Sequence, residues 1–390
     1  MPRSIRDFGV LPGQSPAANA ARLQDAIDWA HPRGEALLVD PSDEPYPVDG
    51  GLVLRANVTL LGVHGPVGRG TRHPQRPQPV GSVFRLEDQD RPFLTVESAT
   101  QVRGIQFWYA AQTLDDPRRV IEYPSTIRTS PTSSAQGVTL CCLTFYGEFT
   151  AMDFAATPQV ICEQVLVEHC YGYPLSGRFV RIHYCYDIPR LLHCHVNPAN
   201  RRMVDGQYSR EVIDAVVARG SFAYEIDFTD NAQVMDVFTF GTHGGVRLGP
   251  ASYGQLTNFN LDCVSIGIHK SGDGPFNRNW QIAQGSIIAN TGARLEDVHP
   301  VLVDGQGHTA LSNVEAFSGA NGALTTLGQS QDFLRVCGTE PLTVTLFGCR
   351  MRNYAGPQPV VVENARATVQ AVACIDRDER LFEMRVEPAR

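Results

Sequence analysis

Apolar positions in this chain follow two rhythms. Over residues 16–30, "PAANAARLQDAIDWA", Ala20, Leu23, Ile27 and Ala30 recur at helical spacing with Ser15 or Asn19 placed to cap, which predicts one amphipathic helix. After it the period falls to two. Longer strand-like runs, most ending in an aromatic or large apolar residue, recur at 101–107 ("QVRGIQF"), 137–145, 159–167, 188–196, 232–240, 253–261, 278–288, 308–317, 342–351 and 367–375. Shorter runs alternate with them at 151–155, 179–184, 224–228 ("YEIDF"), 245–249, 265–269, 301–305 and 360–364. Successive longer runs start mostly 20 to 35 residues apart, and the one wider gap holds an insertion at about 198–221.

Short strands repeating at that period without helices describe a solenoid in which each repeat is one coil and the inward residues of stacked coils make a continuous core. The expectation is an all-β, right-handed parallel β-helix of about ten coils. Residues 1–65 would hold the cap helix and first coils, and 66–390 the body of the same single domain, with loop excursions near 108–136, 197–221 and 290–300. Inside the longer runs the alternation breaks at Gly104, Cys142, His193, Asp236, Asn258, Asn313 and Gly348, where a tight bend calls for a left-handed backbone. That gives His193 and Asp236 a structural reading. Segment 209–221, "SREVIDAVVARGS", predicts a short helix hanging over a groove as a lid or subunit contact.

Composition narrows the function classes. Of 390 residues 43% are hydrophobic, enough for a large core, and 35 glycines with 26 prolines suit a turn-rich β architecture. A net charge of −8 with no run of basic residues offers no electrostatic footprint for nucleic acid. No stretch of about 18 apolar residues predicts a membrane span, and the absence of an apolar leader suggests a cytoplasmic protein. Ten cysteines lie mostly inside strand patterns and form no CxxC pair, so they read as reduced, buried thiols. Lys270 is the one lysine.

The segments "IRDFGV" 5–10, "ARLQDAIDWA" 21–30, "ALLVD" 36–40 and "GLVLRANVTLLGVHG" 51–65 resemble the start of the pectate-lyase-like superfamily of β-helix proteins. This chain departs from the superfamily pattern at "LPGQSPAAN" 11–19 and "VDPSDEPYPV" 39–48. The resemblance implies a cap helix over the open end of the solenoid, and a carbohydrate substrate lying on the outer face of one parallel sheet. Members include polysaccharide lyases, glycoside hydrolases, epimerases and phage tail proteins, so the likeness speaks for the fold before the reaction.

The three excursions leave one corner and would wall the face made by the shorter strands. If those strands stack in register, outward positions form one column of Arg181, Glu225, Arg247 and Gly267 and a second of His183, Asp227, Gly249 and His269. Adjacent coils are about 4.8 Å apart and residues i and i+2 about 6.6 Å apart. Glu225 and Asp227 then make the paired carboxylates of an inverting glycosidase, with about 6.5–9.5 Å between them for a water. Two arginines would flank Glu225 while a second acid crowds Asp227, the asymmetry by which such a pair divides the roles of base and acid. The plain alternative is a surface salt-bridge ladder.

Arg181, His183, Arg247, His269, Lys270, His243 and Asp262 are candidate substrate contacts, and Lys270 is also a candidate base for β-elimination on a uronate. Loop aromatics Trp108, Tyr109, Tyr123, Tyr171 and Tyr173 suit stacking on a sugar face. Asp187, Asp230 and Asp273 follow shorter strands and either extend the acidic wall, bind a calcium ion through oxygen ligands or serve as turn residues. No residue set has zinc spacing, and no cofactor is called for. The reading is a glycoside hydrolase acting through Glu225 and Asp227. A polysaccharide lyase, or a non-catalytic glycan-binding protein of the tail-spike type assembled as a dimer or trimer, are the alternatives.

Overall fold

Left-handed residues bend the longer runs in the computed structural model, which describes residues 2–65, 72–155, 157–200, 205–272, 279–317 and 324–388. The seven positions expected to break the alternation all have φ between +52° and +69°. His169, Gln284 and Ala373 take the same conformation without a turn signature. The bends pair with one another along the solenoid. Cys142 N–H donates to Glu168 O and His169 N–H to Leu192 O, and further on Asp236 N–H donates to Thr257 O and Asn258 N–H to Ala283 O. Each bend therefore keeps its backbone group satisfied by the next coil, as a buried peptide requires.

The strands form a right-handed parallel β-helix, and the chain divides into two compact units, Met1–Val212 and Ile213–Arg390. In the first unit the shorter strands are Leu52–Leu54, Leu94–Val96, Ile127–Thr129, Met152–Ala155 and Val180–Tyr186, paired parallel in that order. Ile127–Thr129 lies inside the expected 108–136 excursion, which thus carries a coil strand of its own. At three residues it is too short to show a period. Inside this unit Phe84, Phe107 and Phe145 occupy registered positions on neighbouring coils. Their ring centroids are 6.3 and 5.0 Å apart, and Phe179 continues the row at 5.7 Å from Phe145.

Helix α1, Pro16–Ala30, is capped by Ser15, whose hydroxyl accepts from Ala18 N–H, and it starts with proline at its first position. Leu23, Ala26, Ile27 and Ala30 are buried, while Ala20 is half-buried. Asn19 is not the cap. Its buried amide instead bonds Leu11 and Pro47. Gln24 explains how the helix closes the solenoid: its side chain accepts from Val53 N–H at 2.9 Å and donates to Val53 O at 3.1 Å. Val53 sits in the first shorter strand, so the helix supplies the hydrogen bonds that an open sheet edge would otherwise offer to another chain.

In the second unit the shorter strands are Phe222–Thr229, Gly244–Leu248, Ile266–Lys270, His299–Val303, Leu334–Val336 and Val360–Val362, again parallel. Tyr224, Ile226, Val246, Leu248 and Ile268 are fully buried beneath them. The last strand, Leu381–Val386, departs from the expected all-parallel pattern. It turns back antiparallel on Ala367–Ile375 and covers that edge. The insertion forms helix α2, Arg210–Ala218. Among the described residues no helix is long and apolar enough to cross a membrane.

Candidate functional site

On the outer face of the shorter strands in the second unit, Glu225 is in register with Arg247, and Arg247 with His269. The expected column of Glu225 and Arg247 is therefore present, but His269 continues it where Gly267 was expected. The strand starts share a local feature. At the start of each strand two successive residues turn toward the core: a Cβ on Gly245 would strike the side chain of Leu261, and one on Gly267 that of Ile287. The strands pair Gly244 with Ile266, whereas runs taken to begin at 245 and 265 are offset by one repeat of the wrong length, which misplaces His269 by two residues.

Both acids are outward on the sheet and each is only 4% exposed. The arginine partners the second of them. Arg247 Nη2 is 2.5 Å from Asp227 Oδ2, whereas Glu225 Oε1 lies 3.4 Å from the backbone N–H of Phe222 on its own strand. Within this unit the Arg247 guanidinium sits on Asp227. Gly249 makes the approach feasible, since a Cβ there would come within 1.6 Å of Asp227 Oδ1. His269 Nε2 is 3.1 Å from Asp304 Oδ2, so the face carries two linked pairs, Asp227–Arg247 and His269–Asp304.

Phe222 organises the strand-start end of this face. Its ring lies over Gly244, where a Cβ would meet it at 2.1 Å, and its centroid is 5.8 Å from those of both His243 and His269. His243 precedes its strand and lines a cavity of about 350 Å³ with Asp214, Ser265, Thr291, Asp297 and Thr325. Burial depresses the basicity of His243, the neighbouring His269 adds to that, and Asp297 opposes it. Asp262, on strand Asn260–Val264, is half-buried. Burial raises its pKa above the ordinary aspartate value, against a hydrogen bond with Cys263.

Other candidates are placed elsewhere. Lys270 is wholly buried: Ile268 and Lys270 share the inward side of their strand, which removes it from the substrate face. In the first unit Arg181 is bound bidentately by Asp153, with both contacts at 2.9 Å, a ladder pair on neighbouring strands. His183 is outward and half-buried, its ring 4.2 Å from that of Tyr184, where a left-handed φ bends the strand. Trp108 lies on the longer-run sheet and donates its indole N–H to Asp205 at 3.2 Å. Tyr109 is buried against Tyr123 and bonds Thr126, and burial raises its pKa well above the ordinary tyrosine range. Tyr123 is buried too, its pKa pushed up to about 12 mainly by burial. Tyr173 is buried and stacked on Tyr146, and half-buried Tyr171 faces His195. These tyrosines cover loops and bends rather than offering a free ring.

Asp187 has a left-handed φ and accepts from Gln164 at 2.5 Å, and Asp230 accepts from the Tyr253 hydroxyl. Both act as turn residues. Asp273 lies outside the described residues. Among the described residues no group of three or more His, Cys, Asp or Glu side chains is arranged to hold a metal ion. Two participants went unread. Asp304 stands first after the apolar "VLV" 301–303 and was legible as the next outward acid, while Phe222 was hidden at the end of the expected lid segment.

No family model matches this sequence, and no curated protein matches it. Solved structures do. The chain is similar to a double-mutant tailspike protein of E. coli bacteriophage HK620 in complex with a pentasaccharide, at 12% identity, TM-score 0.53, over 96% of this chain and 65% of that one. It is equally similar to the N-terminal fragment of gene product 12 of bacteriophage Phi29, at 13% identity, TM-score 0.53, over 96% of this chain and 66% of that one. A mannuronan C-5 epimerase A-module from Azotobacter vinelandii matches at 12% identity and TM-score 0.49, over 96% of this chain and 99% of that one. This chain spans about two thirds of the length of the two phage chains.

Proposed function

We propose that this chain, a pectate-lyase-like right-handed parallel β-helix, acts on carbohydrate, and that the reaction is hydrolysis of a glycosidic bond by Glu225 and Asp227. The observation that carries the reading is the outer face on which Glu225, Arg247 and His269 stand in one registered column with Asp227 held beside them by Arg247. A phage tailspike bound to a pentasaccharide, sharing the fold, supports the substrate class. Asp227, partnered by a guanidinium, suits the role of base acting on water, and Glu225, its neighbour two residues back on the same strand and also nearly enclosed, suits that of proton donor. A uronate lyase built on Lys270 loses its base, because that side chain is inside the coil.

A rival reading has its own support. Both carboxylates are 4% exposed and one is closed by an ion pair, as in a glycan-binding ladder that performs no chemistry. A screen of neutral and uronic oligosaccharides separates the two, with reducing ends and unsaturated product followed together for wild type, Glu225→Gln and Asp227→Asn. Hydrolysis predicts new reducing ends without unsaturated product and their loss in both variants. Retained binding with no turnover in any of the three proteins would overturn it in favour of the ladder.

A further inference from the structure

The cavity at the strand-start corner of the second unit lies off the carboxylate column and has no part in the chemistry proposed above. We infer that it is a binding subsite for one end of a neutral glycan, a pocket for one or two pyranose rings that excludes uronic and other anionic sugars. The inference rests on the carbohydrate reading of this face but not on hydrolysis.

Size and lining point the same way. About 350 Å³ stands at the small end of ligand pockets, which run from about 300 to 1,000 Å³. Part of the lining is apolar, from Val217 and Ala218 of α2 and from Ala293, and would meet the C–H face of a ring. The rest of the lining is polar, with the hydroxyls of Ser265, Thr291 and Thr325, the imidazole of His243 and the carboxylates of Asp214 and Asp297. Paired sugar hydroxyls are donors that a carboxylate accepts well.

The charge is one-sided. Among the described residues the lining contains no lysine or arginine. Arg294, just outside it, bonds Asp297 at 2.8 and 3.0 Å, and Asp214 accepts from the Thr325 hydroxyl at 3.0 Å, which fixes the carboxylate midway along α2. A sugar carboxylate placed here would face Asp214 with no cation in the lining to receive it, the repulsive element that selectivity needs. A second, independent mark of a ligand is Ser265. Its hydroxyl is buried beside the cavity and has no hydrogen-bond partner among the described residues, an unpaired group of the kind a native structure rarely keeps.

The fold explains why the site sits here. Ser221 O, His243 O and Ser265 O accept from Gly244, Ser265 and His299 N–H, so the residues that precede successive strands stack into one ledge. The ledge forms the floor, α2 and the Gly292–Asp297 loop the sides.

The test is titration calorimetry of the intact chain with glucose, galactose, N-acetylglucosamine and their disaccharides, beside glucuronate and galacturonate. At least one neutral sugar is expected to bind saturably, with each uronate about tenfold or more weaker than its neutral counterpart, as the loss of one charged contact implies. Asp214→Asn should weaken the neutral sugar about tenfold and narrow the difference from the uronate. Ala293→Trp, at an exposed position of the cavity mouth, should abolish binding without touching the core. Glu225→Gln should leave this affinity unchanged, so a failure of the hydrolase reading and a failure of the subsite are read from different variants. A uronate that binds as well as its neutral counterpart, no saturable binding across the panel, or an affinity that survives Ala293→Trp would each overturn the inference.

Discussion

Arg247 reaches back one coil to bond Asp227, Nη2 to Oδ2 at 2.5 Å, beside Gly249, a position with no side chain to obstruct the carboxylate. The pair is asymmetric in exposure, with the arginine side chain one-third exposed and the aspartate nearly enclosed. Removing the cation therefore leaves a carboxylate that water reaches poorly. Arg247→Met is expected to cost about 1–3 kcal/mol in urea unfolding, below a fully buried pair because the arginine remains partly solvated. Asp227→Asn in the same chain should restore part of it. Additive losses in the double mutant would show that the two side chains are not coupled.

Gly249→Ala tests geometry without changing charge. The new Cβ would overlap the end of the Asp227 side chain and push it off Arg247, so stability should fall by about 1–3 kcal/mol. Turnover should fall as far as in Asp227→Asn, since a catalytic group displaced by about 1 Å loses about a hundredfold. Wild-type turnover in this variant would remove Asp227 from the reaction.

Lys270 gives the opposite expectation. Because its side chain is wholly inside the coil, Lys270→Ala should act on the fold, costing about 2–5 kcal/mol by the cavity it leaves. Any glycan turnover measured below the melting transition should match wild type. A selective loss of turnover with an unchanged melting temperature would return Lys270 to the active site.

Stability should also respond to pH through His243. Its folded-state pKa lies below the ordinary histidine value of 6.5 because burial disfavours the imidazolium and His269 adds to this, with Asp297 partly offsetting both. Between the folded and unfolded values the unfolded chain binds the extra proton, so stability rises with pH there. Relative to the non-titrating variant His243→Gln, wild type should lose stability as pH falls below 6.5, and the loss should level off once pH drops below the folded value. Melting curves of both proteins from pH 8 down to pH 5, run in parallel, check the sign.

The coils were legible because a bend is a local event. Gly104, Asn258 and Gly348 announce a left-handed φ by residue type, and Asp236 and His193 by interrupting an apolar alternation. Ala373 and Gln284 take the same φ with no such mark, because stacking on neighbouring coils imposes it. The shorter strands were equally readable where four or more residues alternate, whereas Ile127–Thr129 was too brief to register. For the site, the outward parity of Glu225 and Asp227 followed from their own strand. Their partners did not. The offset between neighbouring coils is set by pairing with another strand, and it puts His269, not Gly267, in the Arg247 column. The inward turn of Lys270 follows from simple alternation with His269.

All ten cysteines are free thiols distributed from Cys141 to Cys374, and nine of them are buried. In a stack of near-identical coils, fraying from one end and all-or-none opening are hard to tell apart with a single probe, because stability is a sum over neighbouring repeats. Here the molecule carries its own clock hands: a thiol is alkylated only when the coil that hides it opens. Pulsed labelling read by mass spectrometry at each cysteine would then give the order in which the solenoid comes undone, coil by coil, with no substitution introduced.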